Sequence, residues 1–346
     1  MRNAFMIAQD SSYLTWSATR RGRYPALIVM MFTCLFLSIP RCSIAQVQIT
    51  PADNDHVSIL INGQPFSDFY VQDIYAKPFL SPLHSATGLT VTRRFPMEHV
   101  EGESRDHPHH KGLWIGYGDV NGVNFWETEP ESSPSGSNPK EKGAIRLTKL
   151  NEVKSGKRSG FINASFSWLN AKGETLLEEN RRMIFYADEK IRRFDVDAAL
   201  TAKTSVHFAD TKEGFFAIRV ADSMAGKNGG VLTNSEGRHT EKDVWGKPAD
   251  WVDYVGPVGG QKIGILIVDN PQNPNHPPRW HARDYGLFAV NPFGLKDFDP
   301  TSQVKGGYSI APGSSARFRY RVIIHSGDVP KKEIARWYSD YAKSTK

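Results

Sequence analysis

Asp106-His107-Pro108-His109-His110-Lys111 places three imidazoles within four positions, between a carboxylate and an amine. Groups of this kind exchange protons or bind metal near neutral pH. Gly112-Leu113-Trp114 and Phe125-Trp126 follow, adding flat apolar rings of the sort that cover a planar ligand or a sugar ring. Three later stretches have similar chemistry. Lys212-Glu213-Gly214 sets a carboxylate at the mouth of a strand. Asn234 to His239 combines Glu236, Arg238 and His239 in a glycine-punctuated loop running on through Trp245 and Trp251, and Asn275 to Tyr285 brings His276, His281 and Asp284. A histidine paired with a carboxylate supplies acid and base for ring opening, elimination or glycosidic cleavage. Two carboxylates alone do so in ordinary glycosidases. The candidate catalytic residues are therefore His107, His109, His110, Glu213, Glu236, His239, His281 and Asp284, with Trp114, Trp126, Arg238 and Trp245 as candidate substrate-binding residues.

A divalent metal is the rival use of the same rings. In an extended chain His107 and His109 face one way and His110 the other, so at most two share an ion. A third ligand, His239, His281 or Glu236, would have to come from elsewhere, which makes His107, His109 and His239 the metal candidates. The run also suits a plain histidine-rich turn between two strands, its rings bonded to nearby carbonyls. His56, His84, His99, His207 and His325 stand alone and read as surface or satisfied core residues.

The elements that must position these groups begin after residue 45. Arg20, Arg21 and Arg23 precede an uncharged apolar run from Ala26 to Ile39, and Ser43-Ile44-Ala45 ends in a small-x-small site. That is the pattern of a secretory signal over residues 1–45, cleaved after Ala45, which predicts a periplasmic or secreted protein. A membrane span would need about 20 apolar residues. Both cysteines, Cys34 and Cys42, fall inside this piece, so residues 46–346 have no thiol for a disulfide, a metal or a nucleophile. They carry 38 basic and 36 acidic residues, a near balance with no basic, aromatic-interleaved patch for nucleic acid.

Periodicity predicts β-structure nearly throughout. Val57 to Ile61 runs into Asn62-Gly63, the dipeptide of a tight hairpin, with Phe66 to Val71 as the return strand. Lys77 to Leu83 is proline-rich and reads as an edge or an extended lead, and Thr90 to Phe95 alternates like a strand. Glu127 to Lys142 is a polar, Pro/Ser-rich loop. Strands over 146–153, 160–169, 175–186 and 191–200 are spaced as an antiparallel meander. Further strands are expected over 214–220, 262–268, 286–291 and 316–324; in the last, Phe318, Tyr320 and Val322 share one face and three arginines the other. Helical spacing occurs over Val329 to Tyr341, where Ile334, Trp337, Tyr338 and Tyr341 form a stripe that packs on the sheet. The expected fold is all-β: residues 46–346 as one large antiparallel β-sandwich with one short C-terminal helix. No glycine-rich phosphate loop opens a helix and no Gly-x-Ser-x-Gly elbow is present, so nucleotide-dependent and serine-hydrolase chemistries lose most of their support.

The motif Asp106-His-Pro-His-His110, with Gly112-Leu-Trp114, Gly118-Asp-Val-Asn-Gly122 and Phe125-Trp126, resembles the PmoA-like family, exported bacterial proteins carrying a methane oxygenase label. Lys77-Pro78-Phe79 and Asn291-Pro292-Phe293-Gly294 are similar to that family too, and Asn291 joins the candidate substrate-binding residues. The resemblance runs from about Val57 to about His325 and implies a galactose-mutarotase-like supersandwich. The expectation is an exported carbohydrate-active enzyme of hydrolase, lyase or epimerase type, with no integral membrane domain. Its rivals are a non-catalytic glycan-binding protein and a metal-dependent oxidoreductase of the kind the family label suggests.

Overall fold

The computed structural model describes Leu14 and residues 46–52, 56–129 and 141–344. The expected signal segment and most of the Pro/Ser-rich loop lie outside the described residues. Ser43–Lys346 forms one compact unit. Two eight-stranded sheets make up most of it, with two short two-stranded pairs beside them. The first runs, in spatial order, Val47–Ala52, His56–Ile61, Gln64–Tyr70, Phe79–Ser81, Leu113–Tyr117, Gly214–Arg219, Leu287–Asn291 and Arg279–Ala282. The second runs Val231–Asn234, Trp251–Val258, Gln261–Asp269, Ser315–Ser326, Arg192–Ala202, Thr175–Tyr186, Ser159–Leu169 and Ala144–Lys154. Neighbours within both sheets are antiparallel, so the chain folds as the antiparallel sandwich that its alternation predicts.

Side chains of alternate residues meet between the sheets. Phe66 lies against Phe185 and Phe194, Phe69 against Phe166, and Phe216 stacks on Tyr320 at 4.5 Å. In the last strand Phe318, Tyr320 and Val322 are fully buried, as the alternation requires. The opposite face of the second sheet carries the helix Lys331–Ser344, whose Ile334 and Tyr341 pack on Trp251, Leu266, Val268 and Ile323.

Three local expectations are corrected. Phe79–Ser81 is not an edge: it pairs on both sides, with Gln64–Tyr70 and with Leu113–Tyr117. Pro78 and Pro82 flank this three-residue segment, so neither removes a ladder donor from it. Thr90 to Phe95 forms only isolated bridges, at Thr90 and Thr92, although Val91 is buried. Trp251, expected in a loop, starts a strand and lies under the C-terminal helix. A second, short helix, Thr240–Val244, was not expected. Among the described residues no helix is long and apolar enough to cross a membrane.

Candidate functional site

The outward face of the first sheet carries the histidine motif. Register places Tyr70, Phe79, Trp114, Ala217, Ala289 and His281 side by side across six neighbouring strands. The two alanines in the middle of this row leave room for larger side chains from the loops, and Trp126 packs there with Phe79, Trp114 and Leu287.

Residues 107–110 are a turn. His107 has φ 45° and its carbonyl accepts from the His110 N–H at 3.0 Å. The extended alternation expected for the three histidines therefore does not occur. His107 and His110 lie parallel at 4.8 Å, and His109 meets both edge-on, at 5.6 and 4.3 Å. The parallel stack continues at both ends, with Tyr285 on His107 at 5.2 Å and His110 on Trp114 at 5.1 Å. Four rings thus run from the half-buried Tyr285 to the fully buried Trp114.

Two buried guanidinium groups hold this turn. Arg93 and Arg219 both bond Asp106, the second at 2.8 Å, and Arg93 also donates to the carbonyls of Asp106 and His107. Burial works against the Asp106 charge, yet the hydrogen bond from His107 (3.1 Å) and the two arginines hold its carboxyl well below the usual range. Burial pushes both His109 and His110 well below the ordinary imidazole value, and the neighbouring cationic groups add to the shift. Arg219 Nη1 donates to His110 Nδ1 at 3.4 Å, which leaves the His110 proton on Nε2. His107 is the exposed member, its side chain 41% accessible.

Two more titratable groups border the motif. Glu213 immediately precedes the strand Gly214–Arg219. Burial pushes its carboxyl up to about 7, against Lys212, and His107 and Tyr285 lie within its electrostatic reach. Lys77 is pushed down to about 7 by burial, and donates to the Trp126 carbonyl (2.8 Å) and Thr128 Oγ1 (3.0 Å). Across the row His281 is pushed down to about 3 by burial and is neutral. Its Nδ1 accepts from the Trp245 indole N–H at 3.0 Å, which fixes its proton on Nε2.

The structure therefore brings together His107, His109, His110, Glu213, His281 and Trp245, and separates the remaining candidates. Glu236, Arg238 and His239 belong to a turn at the edge of the second sheet. His239 bonds Thr233 Oγ1 at 3.0 Å and lines a cavity with Trp251 and Ile334, beneath the C-terminal helix. Asp284 is turned to the loop at Gly226, where an added Cβ would come within 2.7 Å of its carboxyl. Asn291 is spent internally: its Oδ1 accepts from the N–H groups of Phe293 and Gly294, and its Nδ2 donates to the Thr211 carbonyl. Trp114 and Trp126 have no accessible surface, so they support the imidazoles instead of facing a ligand. Missed by the sequence reading were Tyr285, Lys77, Arg93 and Arg219. The first two stand inside quoted motifs. Arg93 stands beside Arg94 in an alternating stretch and Arg219 ends an apolar run, where type alone does not distinguish an inward from an outward charge.

A metal fits this arrangement poorly. Among the described residues no three His, Cys, Asp or Glu side chains are placed to hold an ion, and His239 is not near His107 and His109. The cationic groups around His109 and His110, which burial keeps neutral, also oppose a divalent cation.

No curated protein matches the sequence. Solved structures that resemble the chain include a galactose mutarotase-like protein from Clostridium acetobutylicum, at 10% identity and a TM-score of 0.41, covering 81% of this chain and 98% of that one. Others are an α-galactosidase from Lactobacillus brevis (10%, TM-score 0.36, 83% and 40%) and a glycoside hydrolase family 97 enzyme from Pseudoalteromonas sp. strain K8 (9%, 0.32, 82% and 34%). The chain thus spans two fifths or less of the length of these two hydrolases. The PmoA-like resemblance finds no counterpart in these comparisons. The family model that matches covers residues 56–339, and the chain belongs to that family, the family of unknown function DUF6807.

Proposed function

We propose that the outward face of the first sheet is the active site of a carbohydrate-processing enzyme, in which Glu213 and His107 exchange protons with a sugar. The observation that carries this reading is the Glu213 carboxyl, pushed up to about 7 by burial, with the exposed His107 within its electrostatic reach. A carboxyl with a pKa near the working pH is suited to take a proton and return it. His107 is oriented for the complementary role by Asp106, itself fixed between two arginines. His109 and His110, kept neutral by burial, are not imidazolium acids near pH 7; they support His107 through ring contact. Tyr285 and Trp245 are half-buried aromatic rings beside the motif, and the Arg283 guanidinium lies against both. Sugars match such a surface, with apolar ring faces and many hydroxyls.

The chemistry is proton transfer at a sugar carbon or oxygen, as in epimerisation, elimination or glycosidic cleavage. The basic, apolar and small-residue pattern over residues 1–45 supports export of the enzyme to the periplasm or beyond, which the N-terminal sequence of the isolated protein tests. For the activity, protein comprising residues 46–346 is incubated with a panel of mono- and oligosaccharides and products are followed by NMR. The expected result is turnover of one sugar class, lost at least about a hundredfold in Glu213→Gln. Binding without any product, unchanged in that variant, would instead assign a glycan-binding module.

A further inference from the structure

Beside the histidine turn lies a groove of about 380 Å3, walled by Ile74, Tyr75, Pro96, Met97 and Pro108 and lined by the Lys111–Glu129 ion pair (2.5 Å). Pro108, one of its walls, follows His107 in the turn, so the groove borders the histidine motif. We propose that it is a subsite for a second sugar ring, and that the substrate of the His107 and Glu213 face is an oligosaccharide and not a free monosaccharide. This rests on the carbohydrate reading above.

Wall chemistry carries the assignment. Flat apolar surfaces from an aromatic ring, two prolines and a methionine suit the C–H faces of a pyranose. The Lys111–Glu129 pair, its side chains 6% and 12% exposed, gives the floor of the groove a charged edge that a ring hydroxyl can bond. The groove is also built in advance. Tyr75 is packed edge-on to Phe79 (5.0 Å) and Tyr70 (5.8 Å), Lys111 Nζ lies 5.2 Å from its ring centre, and its carbonyl accepts from the Arg146 guanidinium. A wall already ordered loses little freedom when a ligand arrives. At the rim Ile74 is 77% exposed, a large apolar side chain left in water beside the site. A bound ring would cover it. The volume sits near the lower end of small-molecule sites, about 300–1,000 Å3, which limits the occupant to one or two rings.

The test uses protein comprising residues 46–346, screened on a printed array of mono- and oligosaccharides and then titrated calorimetrically with the best oligosaccharide and its own monosaccharide. The oligosaccharide is expected to bind at least about tenfold tighter, and Tyr75→Ala to erase that difference while leaving monosaccharide affinity unchanged. Ile74→Ser, at an exposed position that cannot unfold the chain, is expected to lower oligosaccharide affinity by about threefold. Equal affinity for the two ligands, or unaltered oligosaccharide binding by both variants, overturns the subsite alone. An array on which nothing binds overturns the carbohydrate reading and the subsite with it.

Discussion

At the scale of single residues, Glu213 carries the chemical argument, and its proposed function and its stability oppose each other. Its carboxyl is pushed by burial from the ordinary value of 4.5 up to about 7. The folded protein therefore holds this proton more tightly than the unfolded chain. Below about pH 4.5 both states are protonated and burial costs nothing; the cost grows from there and is complete above about pH 7, at roughly 3 kcal/mol. Glu213→Gln removes the charge but keeps the shape. It is expected to raise the unfolding free energy from urea titration at pH 8, by up to that amount, and to leave it unchanged at pH 4, while abolishing turnover. Destabilisation at pH 8 would mean that the ionised carboxylate is held by partners and is structural. In the active protein a base with this value gives a kcat/KM that rises with pH to a plateau above about 7. His110 behaves differently: buried between His107 and Trp114, it is expected to lose stability along with activity when changed to Ala.

At the scale of elements, the sequence is most legible where one local rule suffices. Asn62 and Gly63 both have positive φ, 55° and 75°, the geometry their types favour in a two-residue hairpin. The meander from Ala144 to Ala202 follows its alternation, and the C-terminal helix follows its apolar stripe. This helix buries Ile334 and Tyr341 on the second sheet, away from the histidine face. Tyr341→Ala is accordingly expected to cost about 3–5 kcal/mol of stability and to leave the activity of the remaining folded protein unaltered. A change in turnover at constant fold would show that the two faces are coupled. Illegible from sequence is whatever depends on distant partners. The histidine run alternates on paper, but the His107 φ of 45° and its bonding to Arg93 turn it into a stack. Asn234 to His239 has the composition of a site, yet Asn234 Oδ1 accepts from the N–H groups of Glu236 and Arg238 and shapes a turn on the other sheet. Composition identified four of the histidines that meet on the site face, and only the strand register shows that His281 shares a row with Trp114.

At the scale of the whole molecule, the two sheets must stay in register for that row to matter, and one of the chain's crossings between them is the segment 270–278, which joins Gln261–Asp269 in the second sheet to Arg279–Ala282 in the first. His276 fastens it. Its Nδ1 lies 2.6 Å from Asp269 and its Nε2 3.4 Å from Asp250, so both ring nitrogens face carboxylates. Burial alone would lower this imidazole, but the two hydrogen bonds raise it to about 9. The stability it contributes is fully present below the unfolded value near 6.5 and is lost as pH rises through 9. Asp269, pushed up to about 6 by burial, is essentially ionised in both states above pH 7 and adds little slope there. Lys77, pushed down to about 7, has the opposite slope over the same range, but it is common to wild type and variant. The difference between them therefore reports His276 together with Asp269, whose carboxyl loses the imidazole that helps hold it down. Urea unfolding of wild type and His276→Gln, compared from pH 7 to 9.5, is expected to show a gap that narrows by about 2–3 kcal/mol. A gap constant across that range would mean the ring is held neutral, and that packing, not charge, ties the two sheets at this crossing.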